Sequence, residues 1–294
     1  MKKLLITGAG GFLGSHLVQL SKALYDVYGW SLQTNIDLPV EKCYYFNLTS
    51  EKDILENLNS IEPDYIINCA AISGESGCRK NKEGAYTINV KATSLIGEWC
   101  RINKAKLIFI STDLVFDGNN APYLESDETL PLMEYGRLKV EAEGVLKANN
   151  HAIIVRLPLL FGIGLTQNKG LMHQFINSVS CGDVQQLFTD EFRSPAWVDE
   201  VAAFIIQLLD IDFNGVLHLG GKERVSRLEL GMHFCDAFRL DKSKILPVTR
   251  SELNLDYRPK DSSLNSVKAY DLGFNPSKID VALRSIEHLI NDHK

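Results

Sequence analysis

No run in this 294-residue sequence stays apolar for long enough to cross a membrane, and the opening MKKLLITGAGG breaks into glycines too early for a signal peptide. The chain is therefore expected to work in the cytoplasm, away from the bilayer. Six cysteines, at 43, 69, 78, 100, 181 and 235, show neither CxxC nor Cys/His ligand spacing. Free thiols in reducing surroundings are expected, with neither disulfides nor a metal site. Positive charge is also scarce. Lys and Arg number 31 against 37 Asp and Glu, a net charge of −6, which leaves no basic footprint for nucleic acid. A phosphate-bearing ligand would have to be met by local cations. Repeats and low-complexity tracts are missing too, so the length points to one large domain with a smaller one, or one generous α/β unit.

What is present begins with KKLLITGAGGFLGSHLVQLSKAL, a short apolar run, a cluster of glycines, then Leu13, Leu17, Val18 and Leu20 at helical spacing. This is the pattern of strand, tight turn and helix. In such a turn Gly8 permits the bend, Gly11 lets backbone approach a pyrophosphate, and Gly14 allows helix and strand to pack closely. A helix N-terminus then offers unpaired N–H groups and its positive dipole end to phosphate. A glycine-rich turn without a ligand has the same sequence, and position directly after an N-terminal strand favours the binding reading.

Further strands are predicted at 26–30 (DVYGW), 64–70 (DYIINCA), 106–111 (KLIFIS) and 152–157 (AIIVRL), with helices at 50–59, 83–103 and 133–149. Near-continuous apolar strands alternating with helices predict an α/β fold, a doubly wound parallel sheet of Rossmann type. Ligands of such sheets bind beyond the carboxyl ends of the strands. Turn-rich stretches at 117–132 and 162–170 are expected to be functional loops. Strand two ends at Trp30 and Ser31, where an NAD-selective protein would place Asp or Glu on the ribose 2′-hydroxyl. No carboxylate repels a 2′-phosphate there, and no Arg or Lys follows closely. NADPH is modestly favoured, NADH stays open, and so does the reading of Ser31 as an ordinary loop residue.

The motifs TGAGGFLG (7–14), NCAA (68–71), Asn89, STDLVFDG (111–118) and YGRLK (135–139) stand in the order of the extended short-chain dehydrogenase/reductases. Within them the chain resembles the dTDP-4-dehydrorhamnose reductase group, a similarity that continues through FRSPAWVDEVA (192–202) and RPKDSSLNSVKAYDLGF (258–274) and so covers nearly the whole chain. The resemblance implies an NAD(P)-binding domain over 1–160, with a chain return around 190–220, and a smaller, mainly substrate-binding α/β lobe over 161–294. It implies Tyr135 as general acid, Lys139 as the residue that bonds the nicotinamide ribose and lowers the tyrosine pKa, and Thr112 as hydrogen-bond donor to the substrate carbonyl. The chemistry is sound on its own terms. Hydride addition to a carbonyl leaves an alkoxide that needs a proton, and Tyr135 and Lys139 are one helical turn apart.

The implied cofactor wall comprises Gly8, Gly11, Phe12, Leu13, Gly14, Ser31, Asn47, Leu48, Ala70, Ala71, Asn89, Tyr135 and Lys139. Asn89 would hold active-site backbone and a water, or serve only as a packing cap. Asn47 stands where relatives commonly have an Asp that contacts adenine, which puts that contact in doubt. Asp113 would orient its loop or touch substrate. Arg193 and Arg258 occupy the contexts in which the family presents phosphate-contacting arginines, with Lys260 a weaker candidate; solvated surface cations are the alternative.

The implied activity is NADPH-dependent reduction of a nucleotide-linked 4-keto-6-deoxy sugar. A 4,6-dehydratase is disfavoured because Leu114, not Glu, follows Asp113. An epimerase that recycles its hydride remains open. So does a non-catalytic NADP-binding subunit, since some relatives, such as the regulatory beta subunit of methionine adenosyltransferase, serve as partners of another enzyme. Leu114 and RLPLLFG (156–162) depart from the rhamnose-pathway pattern near the sugar pocket, so sugar and nucleotide are left open. Pairing through helices into a homodimer is common in the superfamily.

Overall fold

A computed structural model describes residues 1–32, 42–147, 152–166 and 170–292. β1 (Lys3–Thr7) is buried from Leu4 to Thr7 on both faces, as a central parallel strand must be. The glycine turn, α1 (Phe12–Ser21), β2 (Asp26–Ser31) and short β3 (Cys43–Tyr45) follow. α2 (Glu51–Ile61) starts where the Ser50 hydroxyl accepts from the Asp53 amide, and it leads to β4 (Tyr65–Asn68). α3 (Glu75–Lys80), α4 (Lys82–Tyr86) and α5 (Ala92–Asn103) precede β5 (Lys106–Thr112). α6 (Glu134–Leu146) precedes β6 (Ala152–Leu157).

The second half holds β7 (Leu160–Phe161), α7 (Gly170–Ser180), β8 (Gln185–Phe188), β9 (Phe192–Arg193) and β10 (Ala196–Trp197). It continues through α8 (Val198–Gln207), β11 (Gly215–His218), β12 (Val225–Ser226), α9 (Arg227–Phe238) and β13 (Ile245–Val248) to α10 (Val267–Asp271) and α11 (Ile279–Asp292).

Seven strands form one sheet in the order β11-β6-β5-β4-β1-β2-β3, and every pairing in it is parallel. This is the doubly wound Rossmann-type α/β fold expected. The chain runs outward in opposite directions from β1, to β2 on one side and β4 on the other, so the crevice for a ligand opens beyond the carboxyl ends of β1 and β4. One face of the sheet is covered by α1 and α8 through Leu17, Val18, Val201 and Ile205, the other by α2, α5 and α6 through Leu58, Ile96 and Leu146. Leu4, Leu5 and Ile6 are fully buried between these layers, each such side chain contributing roughly 1.5–3 kcal/mol of burial. A further cluster, with Phe175, Leu187, Phe234 and Ile286 at its centre, joins α7, β8, α9 and α11.

The helix expected over 83–103 is not one regular element. α4 and α5 are joined by a π turn over Thr87–Lys91, in which the Ala92 amide bonds the Thr87 carbonyl five residues back. The strand expected over 64–70 stops at Asn68, because the Ala70 amide bonds the Thr7 hydroxyl at 3.1 Å instead of a neighbouring strand. α6 ends at Leu146, and residues 148 and 149 of the helix expected there lie outside the described residues, as do 167–169 of the loop expected at 162–170. The loop over 117–132 is built around Tyr123, stacked on Phe116 with centroids 4.0 Å apart. Its hydroxyl accepts from the amides of Gly118, Asn119 and Asn120 and donates to Asp117. Among the described residues no helix is long and apolar enough to cross a membrane.

Candidate active site

A cleft of about 480 Å³ opens over the carboxyl ends of β1, β4 and β5. It brings together Gly8, Gly11, Phe12, Leu13, Gly14, Ser31, Asn47, Leu48, Ala70, Ala71, Thr112, Tyr135 and Lys139, the first and last of them 131 positions apart in the sequence. Trp30, Phe46, Ile110 and Pro158 also line it. Trp30 and Phe46 stack with centroids 4.3 Å apart, a pairing of strand end and distant loop that no sequence spacing announces.

The glycine turn is shaped for close approach. Gly8 has φ +66°, a conformation that favours glycine. A Cβ on Gly14 would stand 2.1 Å from the Gly8 carbonyl oxygen, so no side chain fits there while α1 packs on the turn. No side chain caps α1, and its first-turn residues Phe12, Leu13 and Gly14 line the cleft. Uncapped amides facing a cavity, with no acidic residue in the first turn, fit an anionic pyrophosphate. Thr166 donates to the Gly10 carbonyl at 3.1 Å and so ties the loop after β7 to the turn.

Asn89 does not line the cleft but fixes its wall. Its Oδ1 accepts from the Ile72 amide at 2.8 Å and its Nδ2 donates to the Ile72 carbonyl at 3.0 Å. The π turn places this side chain, a recurring use of such turns near functional sites. Asn68, at the end of β4, accepts from Thr7 and donates to Thr93.

At the opposite end Lys139, only 1% exposed, donates to the Ile110 carbonyl at 2.7 Å and lies 4.5 Å from the Phe109 ring centroid and 5.9 Å from that of Tyr135. Burial brings its pKa down to about 8, against the opposing pull of Cys69, Glu143 and Cys78. Tyr135 packs against Ile72, Cys78, Val90 and Leu138, and burial, with Cys78 and Asp113 nearby, holds its phenol above the ordinary value. This differs from the lowered tyrosine pKa expected. Desolvation is the largest influence on the phenol, and Lys139 makes no hydrogen bond to it that would counter the rise. A phenol held neutral is a proton donor throughout the physiological range. Thr112 donates to its neighbour Asp113 at 3.2 Å and accepts from the Leu114 amide.

Beneath these residues runs a buried network that sequence reasoning missed. Glu143, one turn after Lys139, accepts from Ser111 at 2.5 Å and from Arg156 at 2.7 Å. Arg156 continues to His218, whose pKa burial and the Arg156 charge lower to about 3, leaving it neutral. The i, i+4 spacing of Lys139 and Glu143 was the available signal.

Asp113 lies outside the cleft lining and leads away from it. Its Oδ2 accepts from Arg193 at 2.7 Å and from Ser262 at 3.0 Å. Arg193 also donates to Glu191 at 3.2 Å, and Arg258 donates to Glu191 at 2.6 and 2.9 Å. Arg193 is therefore neither a solvated cation nor an open phosphate fork: it is 5% exposed and spent on two carboxylates. Arg258, partly exposed, is spent on one, and Lys260 is exposed. Glu191 is the residue that could not be foreseen. Burial pushes its carboxyl up, but the Arg258 hydrogen bonds and the charges of Arg193, Arg258 and Arg227 outweigh this and bring it down to about 2.

Comparison with known proteins places the chain. The family described as RmlD substrate binding domain matches residues 1–288. The probable low-salt glycan biosynthesis reductase Agl14 of Haloferax volcanii is 30% identical over 98% of both chains. The methionine adenosyltransferase 2 subunit beta of Mus musculus is 29% identical over 92% of this chain and 83% of its own. The crystal structure of dTDP-4-dehydrorhamnose reductase from Bacillus anthracis, in complex with NADP, is 25% identical and superposes with a TM-score of 0.86 over 97% of this chain and 99% of its own.

Proposed function

The chain belongs to the RmlD substrate binding domain family, and from that premise we propose that it is a nicotinamide-dinucleotide reductase of sugar nucleotides. In its finer form the proposal is NADPH-dependent reduction of the keto group of a nucleotide-linked 4-keto-6-deoxy sugar. One observation carries it: Thr112, Tyr135 and Lys139 meet the glycine turn of α1 in a single cleft. The reductase named in complex with NADP and the glycan biosynthesis reductase favour this reaction and this cofactor.

NADPH would supply hydride to the carbonyl carbon. The residues' share is to hold and to protonate. The uncapped first turn of α1 would receive the pyrophosphate and Ser31 the adenosine ribose, while Asn89 steadies the wall at Ile72. Thr112 orients the substrate carbonyl, and Tyr135, kept neutral by burial, gives its proton to the developing alkoxide. Lys139, held on the cleft floor by the Ile110 carbonyl, would stabilise the phenolate left on Tyr135 and bond the nicotinamide ribose. In this reading residues 1–160, with the return around 190–220, hold the cofactor, and 161–294 mainly hold the substrate.

The test is to incubate the protein with a panel of nucleotide-linked 4-ketosugars and follow NADPH and NADH oxidation. Stoichiometric oxidation with alcohol formation supports the proposal. Protein purified with bound NAD that interconverts sugars without net oxidation is an epimerase. The regulatory subunits among its relatives give the second reading a specific basis. Cofactor binding with no turnover on any member of the panel would favour that role.

A further inference from the structure

α6 carries a second ionisable residue on the buried face that bears Lys139. Glu143 stands one helical turn further on, 1% exposed, and its carboxylate accepts from Arg156 through Nη2 at 2.7 Å and Nε at 3.0 Å and from the Ser111 hydroxyl at 2.5 Å. Ser111 and Arg156 are register partners on the parallel pair β5 and β6, so both side chains leave the sheet on the face that α6 covers. Ser111 directly precedes Thr112, and Lys139 donates to the carbonyl of Ile110, one residue earlier, at 2.7 Å. α6 is thereby pinned to the end of β5 at two consecutive residues, next to the one that presents its hydroxyl to the cleft.

Stability alone does not ask for a charge at this place. The rest of that face of α6 is apolar, with Leu138, Ala142 and Leu146 buried. Replacing a buried ion pair by well-packed apolar residues is often neutral or stabilising, because desolvating two charges offsets most of their attraction. What an apolar side chain at 143 could not do is act on Lys139. The other groups that face this ammonium are uncharged: the Phe109 ring on β5, the Tyr135 phenol on its own helix, which burial keeps neutral, and two thiols. Burial pushes Cys69, just beyond β4, up to about 12, and burial with Glu75 and Glu134 nearby pushes Cys78 on α3 up to about 11. Both thiols are therefore neutral where Lys139 titrates, near 8, and Glu143 is the anion among the groups that act on it there. Arg156 on β6 holds that carboxylate, and His218 on β11 beyond it is neutral.

We propose that Glu143 is a positioning residue of this site: fixed by Arg156 and Ser111 against the end of β5, it keeps Lys139 in its ammonium form. The proposal rests on the reading of the cleft as a nicotinamide-cofactor site given above. A neutral amine at 139 would neither stabilise a phenolate on Tyr135 nor give a charge-assisted hydrogen bond to the cofactor ribose, so the carboxylate widens the pH range over which the site works. Arg156 and Ser111 occupy its oxygens, and among the described residues Lys139 and Glu143 make no ion pair with each other. Glu143 thus acts across space and does not compete with a ligand for the ammonium.

The experiment measures the Kd for NADPH by fluorescence titration between about pH 7 and 10, for the wild type, Lys139→Met, Glu143→Gln, Glu143→Asp and the double variant Glu143→Gln with Arg156→Met. Wild-type binding should weaken about tenfold as Lys139 loses its proton, along an alkaline limb near pH 8 that Lys139→Met lacks. Glu143→Gln keeps an acceptor for Ser111 and removes the charge, and should move the limb down by about one pH unit, the worth of one charge beside a buried ammonium. Glu143→Asp retains the charge and should leave the limb near its wild-type position. The double variant strands no guanidinium, so it keeps the test open if Glu143→Gln fails to fold, and its limb should also lie below that of the wild type. A limb at the wild-type pH in both variants that remove the charge, an equal fall in Glu143→Asp, or a limb that is missing from the wild type or persists in Lys139→Met overturns the proposal and leaves the cofactor reading standing. A wild type that binds neither NADPH nor NADH removes that reading and the proposal with it.

Discussion

Arg258 meets Glu191 with two parallel hydrogen bonds, Nε to Oε2 at 2.6 Å and Nη2 to Oε1 at 2.9 Å, and the carboxylate they hold is 1% exposed. Removing Glu191 would strand two guanidiniums, one of them buried. Glu191→Ala is expected to destabilise the protein by about 3–5 kcal/mol, the cost of breaking a buried pair on one side. The check is the midpoint of denaturant unfolding. Because the folded carboxyl titrates near 2 and an ordinary one at 4.5, the unfolded chain binds the proton first on acidification. This contribution is complete above about pH 4.5 and is lost as pH falls towards 2. The stability profile of the variant should be flatter over that window, and a wild-type profile already flat there would contradict the pairing.

Tyr135→Phe keeps the ring in its pocket of Ile72, Cys78, Val90 and Leu138 and removes the transferable proton. Turnover is expected to fall by about 10²- to 10⁴-fold, the usual worth of general acid catalysis, with the Kd for NADPH near the wild-type value. Steady-state assays and a fluorescence titration separate the two. Unchanged turnover takes Tyr135 out of the mechanism.

Lys139 supplies a pH prediction. Its folded pKa is near 8 rather than 10.5, so the ammonium form is lost as pH rises through 8, and kcat/KM should decline there. The stability effect has the opposite sense. Between about pH 8 and 10.5 the unfolded chain still holds the proton, so the penalty for burying the charge diminishes as pH rises in that window. Lys139→Met should abolish the alkaline limb and weaken NADPH binding. A limb that persists in the variant belongs to another group.

The two inner glycines of the turn should fail differently. Gly14→Ala puts a Cβ 2.1 Å from the Gly8 oxygen, a backbone atom that cannot step aside, so the melting temperature should fall by several degrees, as about 1–3 kcal/mol of overpacking implies. Gly11 has more room, with its nearest contact at 3.1 Å. Gly11→Val is expected to abolish NADPH binding with a smaller drop in melting temperature, because its side chain would stand where a pyrophosphate approaches. Equal losses of stability in the two variants would mean that Gly11 is a packing glycine like Gly14.

The sequence by itself determined the alternation of strands and helices, the glycine turn and the one-turn spacing of Tyr135 and Lys139, because each depends on local periodicity or on residues within a single element. It also marked the family to which Thr112 and Asn89 owe their expected roles. Folding decided the rest, through contacts between distant segments. That Asn89 reaches Ile72 depends on a π turn, which exploits a single extra residue per turn and leaves no mark in the hydrophobic pattern. The direction of the Tyr135 shift depends on how completely a pocket from four segments excludes water, and no neighbour in sequence reports that. Arg193 and Arg258 were visible as cations in the right contexts. Their engagement was not, since charge neutralisation depends on which carboxylates stand in hydrogen-bond reach, and Asp113 reaches Arg193, and Glu191 reaches Arg258, only when segments far apart in sequence are brought side by side.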